Sequence, residues 1–159
     1  PTLAEFEAAR EVVSRVAQVT PMEVSRFLGE LLGQPVYMKC ENLQRTGSYK
    51  IRGAYNRMSK LTDDEKARGV VAASAGNHAQ GVAFAAKELG IKATIFAPTG
   101  VALPKLQATR AYGAQVVLTG DTFSEPLKAS HNHSQRRIRA STGAVRCYFF
   151  NLSLHWPFQ

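Results

Sequence analysis

The chain has few cysteines and no long apolar run, and each of these shortages excludes a class of protein. Of its 159 residues, 2 are cysteine. Cys40 and Cys147 lie too far apart to build a disulfide framework or a zinc motif, which favours a reducing, cytoplasmic setting. No stretch approaches the roughly 18 apolar residues of a membrane span. The 12 glycines and 7 prolines show no period, which excludes collagen-like folds.

What is present is the composition of an ordinary globular protein, with 45% hydrophobic and 20% charged residues. The net charge of +8 is unevenly distributed along the chain. Residues 1–123 contain 15 Lys and Arg against 11 Asp and Glu, whereas residues 124–159 contain 5 against 1, so each part carries +4. The second part is therefore far more basic for its length. This favours either a nucleic-acid partner or a change in the character of the chain near residue 123.

Segments typical of strands and helices alternate through the middle of the chain. Strands are predicted at residues 36–40, 70–73, 93–97 and 116–118. Helices are predicted after Ser48, after the turn at residues 74–77 and from Pro104 to Tyr112. Strand–helix alternation at short intervals predicts an α/β fold, an open and mostly parallel sheet with helices on both faces.

The N-terminal part is predicted to be helical, and the C-terminal part shows no period. A capping box at Thr2 and Glu5 opens a first helix that ends at Thr20. A second helix carries Val24 and Phe27 on its apolar face. From Phe123 onward the sequence follows neither the helical nor the strand period, and no metal site is predicted, because the histidines there lack further ligands at a suitable spacing.

The first candidate site is the loop that ends at Lys50. Lys50 falls in the first turn of the helix predicted to begin at Ser48, where the positive end of the helix dipole disfavours a protonated ammonium. A lysine that loses its proton readily is suited to form an imine with an aldehyde. The alternative is a solvated lysine on an amphipathic helix.

The second candidate site is the turn of residues 74–81, SAGNHAQG, between a strand and a helix. Its small residues let the backbone approach an anion, and the helix that follows offers unpaired N–H groups. Ser74 and Asn77 add uncharged hydrogen-bonding groups. In the alternative interpretation the turn is only a connection and Asn77 only a cap, and His78 by itself is typical of a packed histidine.

Together, residues 41–54 (ENLQRTGSYKIRGA) and 74–81 resemble the threonine dehydratase (threonine ammonia-lyase) family, within the β-family, or fold type II, of pyridoxal-phosphate enzymes. The resemblance runs from about residue 20 to residue 122. Two motifs in register are far more specific than either alone. Tyr49 departs from the family pattern, in which phenylalanine is more frequent, and adds a hydroxyl beside the lysine.

The resemblance implies roles for residues of both loops. Lys50 would hold pyridoxal 5'-phosphate covalently and act as the catalytic base. Asn77 would hydrogen-bond the ring oxygen of the cofactor. The substrate carboxylate would bind the loop of Ser74, Ala75, Gly76, Asn77 and His78.

The implied reaction is the α,β-elimination of L-threonine to 2-oxobutanoate and ammonia, a lyase reaction of amino-acid and isoleucine biosynthesis. The nearest alternatives within the enzyme class are L-serine dehydratase and serine racemase, because the same loops occur in both. Ala75 and residues 79–81 favour threonine. The implied partner is a small amino-acid substrate, with no membrane and possible assembly into a homo-oligomer.

The resemblance also implies that this chain lacks parts of the catalytic domain that is typical of the family. The family carries a run of consecutive glycines for the cofactor phosphate after residue 123, and this sequence has none. The chain is therefore interpreted as truncated, with residues 1–123 as the N-terminal part of the catalytic domain and residues 124–159 as a basic, aromatic-rich tail of the kind a frame shift produces. Loss of two or three charge-assisted hydrogen bonds to the phosphate predicts weak cofactor binding and impaired activity.

The basic tail leaves open an alternative function outside the enzyme class, namely nucleic-acid binding. Arg136, Arg137 and Arg139 form a cluster that could bind nucleic acid, with Phe149 and Trp156 as stacking faces. No known binding fold accompanies this cluster, which favours a loosely attached tail instead.

Overall fold

The structure is a computed structural model that describes residues 1–122, 124–140 and 146–147, with only the backbone for residues 136–140 and 146–147. A short 3-10 helix covers Glu41–Leu43. In chain order the helices and strands of the described residues are α1 (Leu3–Val13), β1 (Met22–Val24), α2 (Arg26–Leu32), β2 (Tyr37–Lys39), α3 (Lys50–Ser59), α4 (Asp63–Arg68), β3 (Val70–Ala73), α5 (Asn77–Glu88), β4 (Ala93–Ala97), α6 (Leu103–Ala111), β5 (Gln115–Leu118), α7 (Ser124–Ala140) and β6 (Arg146–Cys147).

Four of the strands form one parallel sheet in the order β5-β4-β3-β6. Its register places Ala72 beside Ile95 and Ile95 beside Val116. The two central strands are short, almost continuously apolar and buried, as expected for parallel strands covered on both faces. Strands β1 and β2 form a separate antiparallel pair. The predicted α/β fold with an open, mostly parallel sheet is confirmed.

The sheet buries its side chains on both faces because successive residues of a strand point to opposite sides. Val70 and Ala72 of β3 belong to the larger core, which includes the buried faces of α3 and α5. Val71 and Phe96 belong to a second cluster on the opposite face, together with Ala129 of α7. Helices therefore cover both faces, as predicted.

Helix α3 packs along α5, and the helical period correctly predicts which residues it buries. The buried residues of α3 are Ile51, Ala54, Tyr55 and Met58. Helix α5 offers mostly small buried side chains between Ala79 and Ala86. Small residues let two helix backbones approach closely, and this approach sets the position of the first residue of α3.

The N-terminal elements differ from the prediction in two places. Helix α1 opens on the predicted capping box of Thr2 and Glu5, but it ends at Val13 instead of Thr20. Val24 lies in β1, which pairs with β2, so the prediction that it belongs to the second helix is wrong. Helix α2 keeps its apolar residues Phe27 and Leu31 exposed, so their helical spacing marks an amphipathic helix whose apolar face is not buried among the described residues.

Helix α7 was missed, because residues 130–137 show no clear helical period. It packs on the sheet through small side chains, Ala129 among them. Ser130 and Ser134 are buried as well, and their hydroxyls donate to carbonyls of the helix itself. The His133 ring lies 5.4 Å from the Phe96 ring, centroid to centroid. The division of the chain at residue 123 stays a prediction. Phe149 and Trp156, and the side chains of Arg136, Arg137 and Arg139, lie outside what the structure describes.

Within the described residues, no helix is both long enough and apolar enough to cross a membrane.

Candidate functional site

The candidate site lies at the carboxyl edge of the parallel sheet, where each strand leads into a loop. Ser74 follows β3 directly, and its backbone N–H donates to the carbonyl of Phe96 in β4 at 2.9 Å. The loops after β4 and β5 are joined by a hydrogen bond from Thr99 N to the Gly120 carbonyl at 2.8 Å. Ligands of open α/β sheets bind at this edge, and the structure places the loop of residues 74–76 there as predicted.

Lys50 is the first residue of α3 and is half-buried. Tyr49, the residue before it, occupies the cap position, and the predicted cap Ser48 instead accepts a hydrogen bond from Lys50 N at 3.4 Å. The Lys50 ammonium lies over the exposed Tyr49 ring, 4.9 Å from its centroid. The predicted position of Lys50 in the first turn of a helix is confirmed.

Gly81 holds Lys50 against helix α5. A Cβ atom at Gly81 would lie 3.1 Å from the backbone carbon of Lys50 and 3.2 Å from the backbone nitrogen of Ile51. The first turn of α3 and the second turn of α5 therefore touch backbone to backbone. This contact brings Lys50 to the N-terminal end of α5, where the loop of residues 74–76 enters the helix.

Ser74 organises that loop. Its buried hydroxyl oxygen accepts hydrogen bonds from Gly76 N at 3.3 Å and from Ala79 N at 3.2 Å. Ser74 thereby satisfies a backbone donor in the first turn of α5. The alternative in which Asn77 serves only as the cap is not supported, because Gly76 occupies the cap position and Ser74 supplies the capping oxygen. Asn77 is exposed at the start of α5.

His78 lies on the first turn of α5, near Lys50. Burial lowers the pKa of His78 from its usual 6.5 to about 4, and the positive charge of Lys50 adds to this effect. The imidazole is therefore neutral at pH 7. The two candidate loops, which are separated by more than 20 residues of sequence, are thus close enough for a charge on one to act on a side chain of the other.

The segment before Lys50 is fixed by two polar side chains, the half-buried Glu41 and the buried Gln44, whose roles are not predicted from the sequence. Arg52 donates two hydrogen bonds to the Glu41 carboxylate, both at 2.8 Å, and Thr20 donates a third at 2.7 Å. The Gln44 side chain is buried, accepts from Gln18 N at 2.8 Å and donates to Gln18 O at 3.0 Å. These bonds tie the loop to both the N-terminal segment and α3.

Ionisation of Glu41 is expected to make the stability of the fold depend on pH. Its hydrogen bonds with Arg52 lower the pKa of Glu41 from 4.5 to about 2, so the ionised form is favoured in the folded state. The resulting stabilisation is present above pH 4.5 and is lost as the pH falls from 4.5 towards 2. Because Arg52 is 36% exposed, we expect a loss of about 1–2 kcal/mol in the free energy of unfolding over this interval.

This prediction is checked by urea unfolding between pH 6 and pH 2.5. Glu41→Gln should flatten the pH dependence and lower stability at pH 6. Glu7→Gln, at an exposed position of α1, is the matched control and should leave the wild-type profile intact. Identical profiles for wild type and Glu41→Gln would contradict the assigned role of the Glu41–Arg52 pair.

Lys105 is a further residue near the candidate site whose role is not predicted from the sequence. It lies on α6 and is exposed, and its ammonium nitrogen is 3.5 Å from the position that a Cβ of Gly76 would occupy. Lys105 also lines a small cavity together with Ser74, Ala75 and Ala79. Sequence spacing could not show this contact, because it joins helix α6 to the loop that follows β3.

The described residues contain no group of three or more His, Cys, Asp and Glu side chains placed to hold a metal ion. What the carboxyl edge does bring together is a half-buried lysine at a helix start, a neutral histidine and a glycine-containing loop that opens a second helix. This arrangement defines an α/β protein in which an amine lies beside a glycine-containing loop that opens a helix, at the edge of the sheet where ligands of such folds bind.

Comparison with known proteins gives the family. Residues 13–151 match the family described as pyridoxal-phosphate dependent enzyme, and the chain belongs to this family. It is 48% identical over 150 residues to an L-threonine ammonia-lyase of Thermotoga maritima, a match that covers 94% of this chain. It is 52% identical over 113 residues, 71% of this chain, to an L-threonine ammonia-lyase of Geobacter sulfurreducens.

Solved structures show the same fold. The processed form of threonine deaminase isoform 2 from Solanum lycopersicum matches with a TM-score of 0.78 and 37% identity, over 94% of this chain and 41% of that one. Maize serine racemase matches with a TM-score of 0.78 and 29% identity, over 90% of this chain and 42% of that one. The predicted resemblance and fold type are confirmed.

The chain spans about a third of the length of the relatives that it matches. The match covers 36% of the Thermotoga maritima protein and 28% of the Geobacter sulfurreducens protein.

Proposed function

We propose that this chain is part of a pyridoxal-phosphate-dependent threonine ammonia-lyase, which converts L-threonine to 2-oxobutanoate and ammonia. The observation that carries the proposal is the position of Lys50, held by the Gly81 contact at the entrance of the loop of residues 74–76. The relatives named threonine ammonia-lyase, at 48% and 52% identity, support the choice of substrate.

The residues present fit this cofactor. Imine formation with the aldehyde of the cofactor requires an amine that is accessible and that is not held in an ion pair. Lys50 is half-buried, and its ammonium lies over an aromatic ring. Asn77 is exposed at the start of α5, with an amide free to reach the cofactor ring oxygen. Gly76 has no side chain to fill the space above the loop.

Each residue then has a defined task. Lys50 would hold the cofactor and, once the substrate amine has replaced it there, its free amine would accept the proton from the α-carbon of the substrate. Ser74, Ala75, Gly76, Asn77 and His78 receive the substrate carboxylate, because backbone N–H groups at the start of α5 favour an anion. The cofactor, when bound, supplies an electron sink for the carbanion. His78 is neutral at pH 7, so its ring adds no positive charge of its own to the loop.

The proposal is tested by mapping where the cofactor attaches. The chain is mixed with pyridoxal 5'-phosphate below stoichiometry, reduced with borohydride and digested, and each lysine peptide is weighed by mass spectrometry. We expect the cofactor mass on Lys50 ahead of the other lysines. Lys50→Ala should lose this preferred modification, whereas Lys87→Ala, at an exposed position near the end of α5, should retain it. Modification spread evenly over the lysines would overturn the proposal.

Serine racemase is the second candidate function, because maize serine racemase has the same fold over 90% of this chain. The lower identity of 29% makes it the weaker candidate. The two are separated by the product formed from each amino acid: ammonia and 2-oxobutanoate from L-threonine support the ammonia-lyase, and D-serine from L-serine supports the racemase.

A cytoplasmic location and assembly into a homo-oligomer are further parts of the proposal. Exposed apolar side chains on α2, among them Phe27 and Leu31, support an interface, since contiguous apolar surface is typical of interaction sites.

A further inference from the structure

Arg52 joins three segments of the chain through one side chain. Its guanidinium donates to both oxygens of the Glu41 carboxylate at 2.8 Å, and Nη2 also donates to the Gln18 carbonyl at 3.4 Å. A guanidinium that holds both oxygens of a carboxylate fixes the relative orientation of the two side chains, which a single hydrogen bond does not. The N-terminal segment, the start of the loop before Lys50 and the first turn of α3 are therefore connected at Arg52.

The place of Arg52 in α3 decides what this connection constrains. Arg52 follows Lys50 by two residues, and successive residues of a helix are about 100° apart around its axis. The two side chains therefore leave α3 on nearly opposite sides. A Cβ at Gly81 would lie 3.1 Å from the backbone carbon of Lys50, so α5 holds one side of the first turn, and Arg52 holds the other. Rotation of this turn about the helix axis would break one of the two contacts.

The groups that accept from Arg52 are themselves held in place. The buried Thr20 donates its hydroxyl to the Glu41 carboxylate at 2.7 Å. The buried Gln44 side chain accepts from Gln18 N at 2.8 Å and donates to the Gln18 carbonyl at 3.0 Å. Arg52 therefore binds to a segment that other hydrogen bonds already fix, which makes it an effective anchor for α3.

We propose that Arg52 is a positioning residue, whose pair with Glu41 fixes the rotation of the first turn of α3 and thereby holds the Lys50 amine beside His78 and the loop of residues 74–76. This inference rests on the proposed function, because it concerns how the lysine of that function is placed. A purely stabilising ion pair would contribute to the free energy of unfolding without determining where the Lys50 amine lies. The test therefore locates the amine.

His78 reports the position of the Lys50 amine. Burial, and after it the positive charge of Lys50, lower the pKa of His78 to about 4. If the amine moves away from α5, the pKa of His78 rises towards its usual 6.5. The pKa is measured by NMR titration of the imidazole ring between pH 8 and pH 3 in the chain without cofactor, and the His78 signal is assigned by its loss in His78→Gln.

We expect Arg52→Gln and Glu41→Gln both to raise the pKa of His78. The direct effects of the lost charges have opposite signs, because the first variant removes a positive charge and the second removes a negative one. A shift in the same direction therefore indicates movement of Lys50. In a Lys50→Gln chain the pKa of His78 is already raised, and adding Arg52→Gln should raise it no further.

The matched control is Lys66→Gln, which removes the exposed ion pair of Lys66 with Asp63 on α4. It should leave the pKa of His78 at the wild-type value. Glu41→Asp keeps the charge but shortens the side chain, so it should give a shift between those of wild type and Glu41→Gln. Because it is the mildest change, it carries the test if the other variants of the pair do not fold.

Cofactor attachment gives a second measurement. In Arg52→Gln we expect the ratio of borohydride-trapped cofactor on Lys50 to that on Lys87 to fall about tenfold, because a displacement of about 1 Å can slow a positioned reaction by up to about 100-fold. Glu41→Asp should retain part of the wild-type ratio. Lys66→Gln should retain all of it.

The inference is overturned if the pKa of His78 is unchanged in Arg52→Gln and Glu41→Gln, if the two shifts have opposite signs, or if Arg52→Gln causes the same shift with and without Lys50. An unchanged attachment ratio in Arg52→Gln, with preferred attachment at Lys50 in wild type, refutes only the role of Arg52. Loss of preferred attachment in the wild-type chain refutes the proposed function, whatever the pKa of His78 shows.

Discussion

Replacing Gly81 by leucine is expected to lower the free energy of unfolding by about 2–3 kcal/mol and to abolish preferred cofactor attachment at Lys50. A Cβ at this position already lies 3.1 Å from the backbone of Lys50, and the larger side chain has no flexible neighbour to displace. Helix α3 must move away from α5, and Lys50 moves with it. Urea unfolding measures the first effect, and borohydride mapping measures the second.

Gly53 provides the matched control, because it is also a helical glycine but lies on the exposed side of α3. A Cβ at Gly53 would meet no atom within 4 Å. Gly53→Ala is therefore expected to raise the free energy of unfolding by up to about 1 kcal/mol, through helix propensity alone, with Lys50 attachment unchanged. A Gly81→Leu chain with wild-type stability and wild-type attachment would show that the contact between α3 and α5 does not position Lys50.

The spacing of apolar residues predicts much of this fold, because each central strand or helix follows a single period, that of a strand or that of a helix. The strand of residues 93–97 and the buried face of α3 follow directly from apolar spacing. The failure at Val24 has a physical cause: apolar residues at helical spacing also occur in a short strand followed by a helix, and only pairing with β2 distinguishes the two. The apolar spacing does not predict helix α7, because the polar residues Ser130 and Ser134 are buried beside Ala129 and interrupt the apolar face that packs on the sheet.

The candidate site also combines features that the sequence predicts with features that it does not. Lys50 and the loop beginning at Ser74 could be predicted, since each follows a strand and opens a helix. The approach of Lys105 to Gly76 could not, because it depends on how α6 lies against the loop after β3. The pairing of Glu41 with Arg52 lies within one predicted motif, yet its geometry depends on the turn between them. In the candidate site, the sequence alone therefore predicts the segments but not the contacts between them.

Ile51→Ala is expected to lower the free energy of unfolding by about 2–5 kcal/mol, an effect comparable to or larger than that of Gly81→Leu. Ile51 is 0% exposed and lies in the core shared by α3, α5 and the sheet. Truncation removes buried methyl and methylene groups and leaves a cavity that close-packed neighbours refill only in part. Urea unfolding of the two proteins under the same conditions measures the difference.

Phe27→Ala is the matched comparison, because it removes a larger apolar side chain that is 74% exposed. Its truncation takes little surface out of the core of the single chain, so a loss below about 1 kcal/mol is expected for the monomer. If instead Phe27→Ala cost as much as Ile51→Ala, helix α2 would have to be packed in solution, and its apolar face would be covered. If Ile51→Ala cost less than 1 kcal/mol, the α3–α5 core would be too loose to hold Lys50 at the loop. The loss in the free energy of unfolding caused by Ile51→Ala therefore reports how firmly the packing of α3 holds Lys50 in place.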